Sequence, residues 1–195
     1  AAEWRAREEA IMGTRVAVEA WHEDPAVADS AVEAVLAEMR RVDALMSHYK
    51  PGSELSQVNA GAASGPVAVA PELAALIGRA LGFSALTEGA FDITYASVGY
   101  LYDYRARARP SEAEIAARLP AVDWRNVEVD ANASTVRFTR AGVRIDLGGI
   151  AKGHAVDRGV EILRGLGIAH GTVTAGGDSR ILGERLGRPW IVGIR

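Results

Sequence analysis

The stretch Val143-Arg144-Ile145-Asp146-Leu147-Gly148-Gly149-Ile150-Ala151-Lys152-Gly153 decides how this chain reads. Val143 to Leu147 predicts a strand and Gly148-Gly149 a tight turn. From about Ile150 to Leu166 the pattern predicts a helix, apolar at Ala151, Ala155, Ile162, Leu163 and Leu166. A strand that ends in a carboxylate, turns on two glycines and enters a helix exposes backbone N–H groups at a helix N-terminus. Lys152 lies in the first turn of that helix. The arrangement suits an anionic ligand, phosphate above all, and it equally suits a plain turn. The spacing is neither that of a Walker A loop nor G-x-G-x-x-G. Asp146 beside the turn can hold a hydroxyl, a ring N–H or a cation.

Upstream of this stretch, Trp124–Val129 and Thr135–Arg140 read as paired strands around Asp130-Ala131-Asn132-Ala133. Ser111-Glu112-Ala113-Glu114 has the capping-box form and opens a helix to about Leu119. Pro71 opens a helix carrying Leu73, Leu76, Ile77 and Leu81 that ends before Gly89. Pro66–Ala70 is a short strand, and Lys50–Gly65 is a loop with a short helix opened by Ser53. Asp24-Pro25 starts a long helix whose apolar face is Val32, Leu36, Met39, Val42 and Met46. Ile11–Ala20 reads as a strand. Downstream, Gly171–Ala175 is a strand broken by Gly176-Gly177, and Ile181-Leu182 and Trp190–Ile194 are further strands. Helices and strands alternate without a βαβ rhythm, so the fold class is α+β, with mixed or antiparallel sheets and packed helices, in one domain over 1–195.

Composition narrows the chemistry. The chain has 195 residues, 49% hydrophobic and 24% charged, which is ordinary for a globular domain able to bury its own core. It contains no cysteine, so disulfides, thiolate metal sites and Cys nucleophiles are excluded. The net charge of −3 gives no reason to expect a nucleic-acid partner. Residues 1–100 carry a balance of −7 and residues 101–195 one of +4, which makes the second half the better place for an anion. Of 22 basic residues 20 are Arg, so Lys50 and Lys152 draw notice, because the two cations are not chemically equivalent. His22, His48, His154 and His170 show no zinc-protease spacing, and there is no G-x-S-x-G elbow.

Three further segments can carry chemistry. Thr174-Ala175-Gly176-Gly177-Asp178 lets a ligand approach the backbone, or is a glycine turn with its aspartate. In Glu88-Gly89-Ala90-Phe91-Asp92-Ile93-Thr94 an aspartate sits between two apolar residues, where it either caps a helix or meets a ligand. In Met46-Ser47-His48-Tyr49-Lys50 the tyrosine either stacks on a planar ring or is a surface aromatic.

Together and in this order, these segments resemble the ApbE family of flavin transferases. Met12-Gly13-Thr14, the block from Met46 through Ser53-Glu54-Leu55 to Asn59, Gly89-Ala90-Phe91-Asp92-Ile93-Thr94, Asp146 through Gly153 with Ala155 and Asp157, and Ala175-Gly176-Gly177-Asp178 with Gly183 and Pro189-Trp190 carry the resemblance. It implies an enzyme that binds FAD and Mg2+ and attaches FMN to a Thr hydroxyl of a target protein, releasing AMP. Other outcomes are FAD hydrolysis, as an FAD pyrophosphatase, or a non-catalytic flavin-binding module. By similarity Met12, Tyr49, Ala90, Phe91, Asp92, Asp146 and Lys152 match FAD-contacting positions. Gly149 matches a Mg2+ ligand through its backbone carbonyl. The resemblance also implies a periplasmic protein, with membrane anchoring through a leader outside this chain. Family members continue past the Trp190 strand into an H-x-x-D-P-x-T-G stretch that these residues lack. The chain therefore reads as truncated, cleaved or degenerate at its C-terminus, and no catalytic residue is assigned: neither His154 nor His170 sits in the matching motif. The expectation for residues 1–195 alone is weak FAD binding, no tightly held Mg2+ and no useful FMN transfer.

Overall fold

The computed structural model describes residues 3–104 and 106–193. Its helices and strands run β1 (Arg5–Ile11), β2 (Thr14–Trp21), α1 (Pro25–Met46), α2 (Glu54–Gly61), β3 (Val67–Ala68), α3 (Pro71–Leu86), α4 (Ala96–Gly99), α5 (Glu112–Arg118), β4 (Val127–Asp130), β5 (Thr135–Phe138), α6 (Ala151–Gly165), β6 (His170–Ala175) and β7 (Asp178–Leu182). The chain divides into two compact units, Ala1–Asp43 with Ile150–Arg195, and Ala44–Gly149. Every strand pair is antiparallel. The α+β expectation holds.

In the first unit a four-stranded sheet has the order β1-β2-β6-β7. The pairs Arg7↔Val18, Val18↔Val173 and Val173↔Arg180 put these four residues on one face. Helices cover that face. Arg7 pairs with Glu33 of α1, and Arg40 of α1 with Glu9 of β1 at 2.7 Å. Arg180 of β7 pairs with Asp157 of α6 at 2.7 Å. Between them Val16, Val18, Val35, Leu36, Met39, Val160, Leu163 and Val173 are fully buried. Asp24 opens α1 as read, its Oδ1 accepting from the Ala26 N–H at 2.9 Å.

The single strand expected over Ile11–Ala20 is half of a hairpin. Ile11 pairs with Thr14, so Met12 and Gly13 form a two-residue turn, with φ of 55° and 67°. Left-handed values at both positions are what a type I′ turn requires. Ala175 pairs with Asp178 across Gly176-Gly177, and Gly176 has φ 61°. The Gly176 N–H donates to the Arg15 carbonyl at 2.9 Å, which sets the two turns side by side at one end of the sheet. Trp190–Ile194 is not the strand expected: residues 190–193 have no ladder partner, and Ile194 lies outside the described residues.

In the second unit β3-β5-β4 form a small sheet. The Asp130–Ser134 connection is tied by Asp130 Oδ1, which accepts from the Asn132 and Ala133 N–H groups, each at 2.9 Å. Residues Trp124–Asn126, expected to begin a strand, form a 3-10 turn capped by Asp123. Ser53 caps α2 and Ser111 closes a full capping box on α5.

Val143–Leu147, expected as a strand, belongs to no sheet. Its alternation is real: Val143, Ile145 and Leu147 are buried, while Arg144 and Asp146 turn toward the surface. Side chains supply the hydrogen bonds that a strand partner would give. Asn59 accepts from the Ile145 N–H at 2.8 Å and donates to its carbonyl at 3.0 Å. Ser97 Oγ accepts from the Arg144 N–H at 3.0 Å and donates to the Arg144 carbonyl at 3.3 Å. The Asp146 N–H donates to the Ile93 carbonyl at 3.0 Å. Buried backbone must be paired, but nothing requires the partner to be another strand.

Candidate functional site

The expected site residues fall into two sets, one in each unit. In the second unit they gather around Asp146, whose side chain is 15% exposed. The Tyr95 hydroxyl donates to its Oδ2 at 2.8 Å. The Gly148 N–H donates to its Oδ1 at 2.6 Å. His48 Nδ1 stands 3.4 Å from Oδ2, an ion pair when the imidazole is protonated. Tyr49 tilts over the His48 ring with centroids 3.8 Å apart and is 83% exposed. A fixed carboxylate beside an open aromatic face can orient a planar, polar-edged ring. Burial, and next the hydrogen bond to Asp146, push the Tyr95 phenol well above its ordinary pKa.

At the turn into α6, not every backbone N–H is open to an anion. The Gly148 N–H is engaged by Asp146. Gly149 packs against Phe91: a Cβ there would lie 3.2 Å from the Phe91 ring. Ile150, the N-cap of α6, gives no side-chain hydrogen bond to the first turn.

The Gly89–Thr94 block separates into different tasks. Ala90 is exposed on the turn. The Phe91 N–H donates to Thr87 Oγ1 at 3.0 Å, and its ring meets Phe83 edge-on at 6.3 Å. Asp92 Oδ1 accepts from the Thr94 N–H at 2.8 Å and its hydroxyl at 2.6 Å, while Oδ2 accepts from the Trp124 N–H at 3.0 Å. Of the two readings of Asp92, capping is the one the geometry displays. Both carboxylate oxygens tie the Ile93–Tyr95 turn to the start of the small sheet, which holds Tyr95 where it reaches Asp146.

In the first unit Met12 sits at the left-handed corner of the β1–β2 turn beside Gly176-Gly177. Lys152 is the second residue of α6. Its position follows from the packing. A Cβ on Gly171 would meet Leu163 at 3.2 Å and one on Gly159 would meet Val173 at 3.0 Å. Helix and strand therefore run antiparallel in step, and α6 begins at the end of β6 that carries Gly176-Gly177. Lys152, Met12 and the glycine turn thus share one end of this unit.

Tyr95, His48 and Ser97 are contributors that the sequence reading did not connect to Asp146. Tyr95 belongs to the aromatic-rich run that begins at Phe91, and His48 adjoins Tyr49, so both signals were present as neighbours. Ser97 carried none: a buried serine in a four-residue helix looks like any other until its partner strand is missing. Among the described residues no three His, Asp or Glu side chains gather to hold a metal ion. Gly149 has only a carbonyl to offer, so these residues do not by themselves fit a Mg2+ shell.

The chain belongs to the ApbE family, whose model matches residues 12–195. The FAD:protein FMN transferase of Haemophilus influenzae is 30% identical over 177 residues, which cover 87% of this chain and 51% of that protein. The FAD:protein FMN transferase of Treponema pallidum is 31% identical over 206 residues, covering 97% and 57%. The crystal structure of the ApbE protein of Thermotoga maritima aligns with a TM-score of 0.89 at 32% identity, covering 99% of this chain and 63% of that one. The chain spans about half the length of the curated relatives it matches.

Proposed function

We propose that this protein transfers FMN from FAD to a hydroxyl, that of a threonine, on an acceptor protein and releases AMP. The observation that carries the reading is the Asp146 carboxylate, fixed by the Tyr95 hydroxyl and the Gly148 N–H beside the open ring of Tyr49. These residues fit a flavin nucleotide. Asp146 accepts from a polar ring edge, and Tyr49 supplies a stacking face. Lys152, at the start of α6, offsets phosphate charge as the anhydride bond breaks. FAD supplies that phosphoanhydride. The acceptor oxygen bonds to the FMN phosphorus, the P–O bond to the AMP portion breaks, and AMP leaves with the electron pair. The hydroxyl proton passes to a base, a role we assign to none of the described residues. Mg2+ belongs to the same reading as a Lewis acid. The described residues would offer it the Gly149 carbonyl.

The test is incubation of the protein with FAD, Mg2+ and a Thr-containing acceptor. AMP release with a fluorescent, flavin-labelled acceptor supports transfer. FMN and AMP without labelling indicate an FAD pyrophosphatase, and FAD retained intact indicates a flavin-binding module. Lys152→Ala weakens FAD binding; unchanged affinity would remove Lys152 from its role. We also propose a periplasmic location with membrane anchoring, on the family resemblance. No helix among the described residues is long and apolar enough to cross a membrane. Fractionation of the native protein into the cytosol would contradict this location.

A further inference from the structure

An exposed ring such as Tyr49 stacks well on a ligand only if something holds it in place beforehand. Its backbone is held from α2. Ser53 Oγ, the cap of that helix, donates to the Ser47 carbonyl at 2.7 Å. Ser56 Oγ donates to the Lys50 carbonyl at 2.8 Å and lies 3.3 Å from the His48 carbonyl, so it grips the chain on both sides of Tyr49. The Lys50 N–H closes the turn on the Ser47 carbonyl at 3.2 Å. What remains to be fixed is the side chain. Among the described residues its one ring partner is His48, with centroids 3.8 Å apart and planes tilted by 40°.

The imidazole has an anchor of its own. His48 is half-buried, and its Nδ1 stands 3.4 Å from Oδ2 of Asp146. That carboxylate is already held by the Tyr95 hydroxyl and the Gly148 N–H. A carboxylate so close favours the tautomer with its proton on Nδ1 and limits how the ring turns. Asp146, His48 and Tyr49 therefore form a chain of contacts that runs from a fixed carboxylate out to an open ring. All three lie in the second unit.

We infer that His48 is a positioning residue for the flavin nucleotide: it carries the placement of Asp146 to the Tyr49 ring, so that the polar contact and the stacking face are set together. The inference rests on the flavin reading proposed above and adds a residue to it. His48 acts through Tyr49. A ring held before the ligand arrives loses less rotamer freedom when the ligand stacks on it, and the gain appears as affinity.

The test is a double-mutant cycle, read by calorimetric titration of the whole chain with FAD and no added metal. Tyr49→Ala weakens FAD binding about tenfold, the size of a lost stacking face. His48→Ala weakens it about threefold, the size of one aromatic pair. In the Tyr49→Ala background His48→Ala costs nothing further, because the ring it positions is gone. His48→Phe keeps a ring behind Tyr49 and recovers part of the loss. His48→Gln, which keeps a donor and no ring, replaces His48→Ala in the cycle if that variant does not fold. Lys152→Ala adds its own loss in full to that of His48→Ala. Unchanged affinity in His48→Ala overturns the inference, and so does an equal loss with and without Tyr49. The same non-additivity toward Lys152→Ala also overturns it, since it would mark a general loosening of the fold. Wild type that binds no FAD removes the flavin reading and this role with it. FAD bound by the wild type with an additive His48–Tyr49 cycle sinks only the positioning role.

Discussion

The Tyr95 hydroxyl donates to Oδ2 of Asp146 at 2.8 Å, across 51 residues of sequence. The backbone reinforces the contact, since the Asp146 N–H donates to the carbonyl of Ile93 on the same turn. Tyr95 is held from behind as well: a Cβ on Gly99 would lie 3.1 Å from its ring. Tyr95→Phe removes one donor to a charged group and leaves the ring in place. FAD affinity is expected to fall about 3- to 10-fold, the size of one such bond, with little change in thermal stability. Fluorescence titration of FAD measures it, and unchanged affinity would separate Tyr95 from the flavin site.

The same contact has a consequence for stability at high pH. Burial and the Asp146 carboxylate raise the Tyr95 pKa above its ordinary value of 10.0. The folded protein keeps the phenolic proton where the unfolded chain has lost it. The resulting stabilisation is complete below pH about 10 and is lost progressively above it, toward the folded pKa. Denaturant midpoints measured between neutral pH and about pH 11 should fall more steeply for wild type than for Tyr95→Phe. Parallel curves would show that the phenol is not coupled to folding.

Asn59 stands in for a missing strand. Its amide satisfies both backbone groups of Ile145, at 2.8 and 3.0 Å, under the residue that precedes Asp146. Asn59→Ala leaves a buried N–H and C=O without partners. The expected cost is about 2–4 kcal/mol, with loss of FAD affinity as Asp146 shifts. Asn59→Asp keeps the acceptor for the Ile145 N–H and loses the donor, so it falls between the two. Chemical denaturation of the three proteins measures the order, and equal stabilities would show that water replaces the amide.

The legible parts of the sequence were those where one local signal suffices. Asp24-Pro25, Ser53, Pro71 and the Ser111–Glu114 box each start a helix where read. The glycine pairs and Asp146 marked the turns around which the site residues lie. What failed needed a partner. β1 is a charged edge strand, with Arg5, Arg7, Glu8 and Glu9 facing ion-pair partners and not a core, so it shows no apolar alternation. Val143–Leu147 has the alternation of a strand but no ladder, because Asn59 and Ser97 take the neighbour's place. Alternation reports burial, and it cannot report which atoms satisfy the backbone. The Tyr95–Asp146 bond was hidden for the same reason: 51 residues of sequence separate the two, and only the fold joins them.

Glu38 gives an acid-side counterpart. The Arg41 side chain and then Arg158 of α6 hold its pKa at about 2, against 4.5 for a free Glu. Its own side chain is 11% exposed, while both arginines are nearly half exposed. The stabilisation is present above pH 4.5 and is lost as pH falls toward 2. Discounted for the screened partners, Glu38→Gln is expected to cost about 1–2 kcal/mol at neutral pH. The variant and wild type then converge near pH about 2–3, as the wild-type carboxylate protonates. A stability gap that stays constant from pH 7 to pH 3 would locate the loss in packing, not in charge.

Gly159 sets how closely α6 approaches the sheet. A Cβ at this position would lie 2.9 Å from Cγ1 of Val35 on α1 and 3.0 Å from Cγ1 of Val173 on β6. Both valines are fully buried and β-branched, so neither can swing aside without disturbing its own strand or helix. Gly159→Ala gains helix propensity of about 1 kcal/mol and meets a clash that offsets it, so its net effect is small. Gly159→Leu adds several more carbons to the same space and is expected to cost about 1–3 kcal/mol. Pairing Gly159→Leu with Val173→Ala should recover part of that loss, because the second change opens volume where the first needs it. The α6 start, with Lys152, shifts away from Gly176-Gly177 in the Leu variant and returns in the double variant. Thermal melts of the three proteins test the coupling: additive losses would mean that helix and strand are not in contact at Gly159.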